Sequence, residues 1–173
     1  MTIPQPHDNE YPEFYAGYVG KVPPSGPVAL LEAQKPALGA LGALSDERAD
    51  HRYADGKWSV KEVLGHMADA ERVFAYRLLR IARGDQMPLA GFDENAWAVT
   101  APHGQRRIKE IADEMSTVRA ASLTLYQALD ATSIARQGTA NNASVTARAL
   151  AWILAGHAQH HLDILRERYG VTI

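Results

Sequence analysis

From residue 28 onward the apolar positions of this chain recur at helical spacing rather than in the alternation of strands. Between Val28 and Leu44, the residues Leu30, Leu31, Leu38, Leu41 and Leu44 define a first helix, which Pro36 should kink or interrupt. Asp55-Gly56 then reads as a turn. Ser59 with Glu62 three residues on is a capping box that opens a second helix. Val60, Val63, Leu64, Met67, Val73, Phe74, Leu78 and Ile81 form its apolar face, and Gly84 ends it. Asp85 to Arg106 carries Pro88, Gly91, Pro102 and Gly104 and reads as a long loop, a length more often functional than idle. A third helix is expected from Ile108 to about Leu129. Asn141 to Ser144 read as the polar start of a fourth, which Gly170 closes. Four long helices without a strand pattern predict an all-α four-helix bundle over residues 28–173. Ahead of it, residues 1–27 hold six of the nine prolines together with Tyr11, Phe14, Tyr15 and Tyr18. That composition predicts an extended arm packed on the domain surface.

Composition narrows the function. The 173 residues suit one domain, and the net charge of −2 argues against a nucleic-acid-binding module. Arg72, Arg77, Arg80 and Arg83 are interspersed with Asp69, Glu71 and Asp85, so they read as a solvated helix face. With zero cysteines, disulfides, thiolate ligands and a Cys nucleophile are excluded. The opening MTIPQPHDNE has no signal-peptide pattern, and the apolar run Ala149–Gly156 falls far short of the roughly 20 residues a spanning helix needs. A cytoplasmic protein without membrane contact is the expectation. No nucleophile-elbow, phosphate-loop or dinucleotide-binding motif occurs.

The histidines carry the chemistry. His157 and His161 fall in line with Leu150, Leu154, Ile164 and Leu165, one turn apart, while His66 falls in line with Val63, Met67, Ala70 and Phe74. An i, i+4 pair is ~6 Å apart along the axis, and both rings can turn onto one ion at about 2.1 Å. A third imidazole from a facing helix would complete three corners of a tetrahedron and leave a position open. Neutral imidazoles suit Zn²⁺, Ni²⁺ or Fe²⁺. His160 is the spare that could replace His161, and His7, His51 and His103 read as surface residues. Glu62 is either a fourth ligand or only the cap, and Asp69 either an outer partner or a solvated flank. No Glu has a His three residues later, which excludes the di-iron bundle pattern.

These residues resemble the DinB-like superfamily, specifically its DinB_2 group, once described as metal-dependent hydrolases. The likeness runs from EYPEFYAGYVGKVP at Glu10 through RYADGKWSVKEVLGHMADAERVFAYRLLRIARGD at Arg52 and PLAGFDENAW at Pro88 to AGHAQHHLDILRERY at Ala155. It implies an up-down-down-up bundle, a divalent metal (zinc or nickel foremost, iron or manganese otherwise) on His66, His157 and His161, and a homodimer. Related proteins use low-molecular-weight thiols, so the resemblance implies a thiol S-transferase or a hydrolase acting on a small molecule. A non-catalytic, stress-linked metal-binding or interaction protein is the alternative. Tyr53, Trp58, Asp93 and Trp97, from the RYADGKW turn and the GFDENAW loop, are the candidates to line a ligand pocket.

Overall fold

The computed structural model describes residues 3–173. Its helices are α1 (Ala16–Val19), α2 (Gly26–Ala33), α3 (Lys35–Gly42), α4 (Asp46–Ala49), α5 (Val60–Ala82), α6 (Glu94–Thr100), α7 (Ile108–Gln127), α8 (Ala131–Ile134) and α9 (Ala147–Glu167). Strands β1 (Gln137–Ala140) and β2 (Ala143–Thr146) precede α9. The first bundle helix is broken into α2 and α3 at Gln34, with Pro36 in the first turn of α3, where a missing N–H costs nothing. The α2–α3 pair, α5, α7 and α9 make the four-helix bundle. Long helix α5 packs on both α7 and α9, while α3 lies on α7 and α2 on α9. The first and second bundle helices are therefore diagonal neighbours.

Ser59 and Glu62 form the expected box: Ser59 Oγ accepts from the Glu62 N–H at 3.2 Å, and Glu62 Oε2 accepts from the Ser59 N–H at 2.6 Å. The fourth helix begins later than the sequence suggests. Asn141 and Asn142 adopt φ of 52° and 60° and turn an antiparallel hairpin in which Gln137 pairs with Thr146. Thr146, not the Asn141–Ser144 stretch, caps α9 by accepting from the Ala149 N–H at 3.1 Å. The long 85–106 connection is also partly ordered: Leu89 bridges to Ala140 at the hairpin edge, and α6 and a 3₁₀ turn at Pro102–Gln105 follow.

The N-terminal segment lies along α9. Ile3 is buried and its carbonyl accepts from Trp152 Nε1 at 3.2 Å, and Glu10 takes hydrogen bonds from Thr146 and Arg148. Lys21 pairs with Asp163 at 2.7 Å. Gly156 makes this approach possible, because a Cβ there would collide with the Tyr18 carbonyl. Two apolar clusters fill the bundle. One includes Phe74, Leu78, Leu150 and Leu154, the other Leu64, Met67, Ile111 and Leu162. His66 and His157 are buried at the seam between them. None of the helices among the described residues is long and apolar enough to cross a membrane.

Candidate metal centre

Three imidazoles meet where α5 and α9 face each other. His157 Nε2 lies 3.1 Å from His66 Nε2 and 3.1 Å from His161 Nε2. Two nitrogens each about 2.1 Å from one ion sit roughly 3.0 Å apart at a right angle and roughly 3.4 Å apart at the tetrahedral angle. The observed spacing falls between those values. Hydrogen bonding alone accounts poorly for the cluster, since one ring nitrogen carries either a single N–H or a single lone pair and His157 Nε2 faces two partners. A cation accepts all three lone pairs at once, so the residues present fit a divalent metal.

Protonation supports the same use. Burial pushes His66 down to about 4 and both His157 and His161 well below the ordinary imidazole value. The rings are thus neutral, with lone pairs free, at neutral pH. His160 stands apart: its ring packs 5.4 Å from Tyr18, and it is not among the three whose ligand atoms gather. Glu62 is spoken for, since Arg52 donates to both its carboxylate oxygens at 2.6 and 2.9 Å and it caps α5. Among the described residues, no carboxylate joins the cluster.

One side of the cluster opens into a cleft of about 390 Å³. Phe14, Tyr15 and Tyr18 from the N-terminal segment, Trp58, Phe74 and Phe92 give it aromatic walls, and Arg77, Glu94, Asn95 and Asn141 give it polar groups. The Trp58 ring lies 4.9 Å from His66, and those of Phe74 and Tyr18 lie 5.5 and 5.3 Å from His157.

The four sequence-nominated pocket residues separate. Trp58 lines this cleft. Tyr53 lies in an adjoining depression that also touches His161, with its ring 4.9 Å from Tyr169. Asp93 and Trp97 lie elsewhere. Asp93 caps α6, accepting from the Asn95 and Ala96 N–H groups at 3.0 Å. Trp97, 43% exposed, stacks near Phe92 and faces a separate apolar groove. The loop reaches the cleft through Phe92, Glu94 and Asn95 instead, because the cap turns Asp93 back onto its own helix.

His103 is buried, not on the surface: its Nε2 lies 3.3 Å from Asp69 and its Nδ1 has no partner. It sits flat over Gly65, where a Cβ would strike the ring. Asp69 is consequently neither a free flank nor a partner of His66. Arg77 is also buried, at 3% exposure, and Glu71 at 2% is bound by Arg119 from α7. The arginine face is solvated at Arg72 and Arg83, but not at Arg77.

The comparisons agree with this architecture. The stretches matched in three relatives named "Putative metal-dependent hydrolase" are 30% identical over 60 residues in Oceanobacillus iheyensis, 33% over 73 in Geobacillus thermodenitrificans and 28% over 91 for YfiT of Bacillus subtilis. They cover 34%, 42% and 52% of this chain, and the chain spans only 34%, 41% and 44% of those relatives' lengths. The solved structure of Bacillus subtilis YfiT, described as a probable metal-dependent hydrolase with an unusual four-helix bundle topology, superposes with a TM-score of 0.73 at 19% identity, over 96% of this chain and 94% of that one. A mycothiol-dependent maleylpyruvate isomerase superposes with a TM-score of 0.66 at 12% identity, over 84% of this chain and 61% of that one. At those identities the likeness is one of fold. A family model described as the DinB superfamily matches residues 29–165, spanning both helices that carry the histidines, and the chain belongs to that superfamily.

Proposed function

We propose that this protein binds one divalent metal ion through His66, His157 and His161 and uses it in an enzymatic reaction on a small organic molecule. The observation that carries this reading is the convergence of three imidazole Nε2 atoms at a cleft where, among the described residues, no carboxylate joins them. Closed structural sites take four protein ligands, whereas three with an open position are the pattern of catalytic ones. Bound there, the ion would supply Lewis acidity to a water or a thiol. Tyr18, Trp58 and Phe74 hold apolar parts of a ligand beside the histidines and exclude water. Glu94 is the carboxylate lining the cleft, placed to accept a proton from the ligand side.

Hydrolysis and thiol S-transfer both fit such a site. Without cysteines, the chain would take its thiol from a low-molecular-weight cofactor. The test uses zinc- and nickel-loaded protein with p-nitrophenyl acetate for hydrolysis, and with monochlorobimane plus glutathione, mycothiol or bacillithiol for transfer. Turnover that requires bound metal and disappears in His157→Ala supports the proposal, and the thiol requirement sorts the two reactions. Equal turnover by metal-free and loaded protein would contradict it. A homodimer enters this proposal through the family resemblance alone; sedimentation of the loaded protein as a monomer would remove it.

A further inference from the structure

Arg77 is the feature that this reading leaves unused. It is 3% exposed, and it projects from the same face of α5 as His66, Ala70 and Phe74. Its Nη2 donates to the Ala90 carbonyl at 2.6 Å, the Tyr15 hydroxyl is a second, neutral hydrogen-bonding neighbour, and its guanidinium carbon lies 5.9 Å from the Phe74 ring centroid and 5.8 Å from that of Phe92. Among the described residues it makes no ion pair, in contrast to Arg119, whose guanidinium is held by Glu71, Gln34 and the Leu31 carbonyl. A buried guanidinium without a carboxylate is costly unless something else completes it. Its remaining N–H groups are not sealed in, since among the described residues the one fully enclosed side-chain polar atom without a partner is His103 Nδ1. Arg77 forms the wall between the histidine cleft and the neighbouring apolar groove, and Tyr15, Phe74 and Phe92 bring it to the cleft side. The charge balance there points the same way. Among the described residues Glu94 is the one carboxylate lining the cleft, and it is exposed, so Arg77 and a bound divalent ion would outweigh it.

We propose that the cleft accepts an elongated ligand carrying a carboxylate or a similar planar anion, which Arg77 engages while the opposite end reaches the three histidines. Arg77 lies eleven residues beyond His66, and its guanidinium carbon is 5.9 Å from the Phe74 ring centroid, which is itself 5.5 Å from that of His157. The anion and the reacting end are therefore on the order of 10 Å apart. Aromatic side chains between them suit an apolar spacer. This specifies the substrate class of the site proposed above and rests on that reading for the identity of the reacting end, but not for the anion contact.

The probes are phenylbutyrate and its neutral counterpart phenylbutanol, titrated calorimetrically into the purified full chain, first stripped of metal and then loaded with zinc. Stripping removes the ion as a competing anion receptor, so any preference for the acid is then a property of the protein. The expected result is roughly tenfold or tighter binding of the acid by metal-free protein, as for a hydrogen bond to a charged group. Arg77→Met should abolish the preference while zinc stoichiometry stays at wild-type level, and Arg77→Lys should retain part of it. Equal affinities in the wild-type protein would overturn the proposal without any variant having to fold. Preference surviving in folded Arg77→Met would overturn it too. A wild-type protein that prefers the acid but takes up no zinc would instead refute the metal centre and leave the anion contact standing.

Discussion

Helix α5 contributes to two buried polar groups that are built in opposite ways. On one side Glu71 meets Arg119: the guanidinium donates to both carboxylate oxygens at 2.8 to 3.1 Å, to the Leu31 carbonyl and to Gln34 at 3.0 Å. Gln34 in turn donates to the Ala155 carbonyl and to Gln159, tying α2–α3 to α9. Both charges are closed off from water and from any cleft. On the other side His66 and Arg77 reach a cleft, and their local partners leave capacity unused. A satisfied buried network fixes how helices pack, whereas an unsatisfied one that borders open space is where a ligand completes the structure.

Breaking the closed network should have the largest effect. Arg119→Met leaves Glu71 buried without its counter-charge and should cost about 3–5 kcal/mol in urea unfolding. Replacing both partners by apolar residues should recover much of that loss, because it removes the stranded charge. A single variant as stable as wild type would show that the network is not closed in solution.

The open cluster should respond in the opposite sense. His161→Ala should weaken metal binding at least a hundredfold, by about 2.7 kcal/mol, while the metal-free unfolding free energy changes by less than about 1 kcal/mol. His160→Ala should retain the metal. Elemental analysis and chemical unfolding of both variants check this. In the wild-type protein, free metal at a hundred times its dissociation constant should add about 2.7 kcal/mol. A chelator should therefore lower the melting temperature without removing the helical circular dichroism at room temperature.

Much of this division was legible in the sequence. The apolar stripes gave the bundle helices because burial of one face is what makes an amphipathic helix form. The histidine trio followed from those same stripes. The hairpin was hidden because Gln137–Ala140 is a four-residue, largely polar strand and an Asn-Asn pair looks alike as a turn or as a helix entrance. Burial of His103 came from a tertiary contact that no periodicity reports. One signal was present, however: Gly65 and Gly156 each directly precede a cluster histidine inside a helix, where glycine costs about 1 kcal/mol relative to alanine. Such a residue marks close approach, here by the His103 ring and by the Tyr18 carbonyl. Arg77 shared the stripe of His66 and Phe74, but neighbouring charges masked it.

Two smaller effects sharpen the contrast between packing and site. Gly156→Ala should push the N-terminal segment off α9, cost about 1–3 kcal/mol and loosen the cleft wall at Tyr18. Greater proteolytic sensitivity before residue 22 would report it. The weakest effect concerns pH. Burial alone would raise the Glu10 carboxyl, but hydrogen bonds from Arg148 and Thr146 outweigh it and hold the group below its ordinary value of 4.5. A lowered folded-state value means that this contact stabilises fully above the unfolded value and fades as pH falls through the folded one. Amide protection in the segment, measured against the intrinsic exchange rate at each pH, should therefore fall below about pH 4.5, and Glu10→Gln should flatten the dependence.

In the proposed function three histidines hold an ion whose remaining coordination is left to a ligand. X-ray absorption on the zinc-loaded full chain tests it most directly. The predicted spectrum has one metal per chain, imidazole scattering from three rings at about 2.0–2.1 Å and at least one further light-atom neighbour that exchanges when a small thiol is added. A fourth protein ligand that no added thiol displaces, or a spectrum unchanged in His157→Ala, would contradict it.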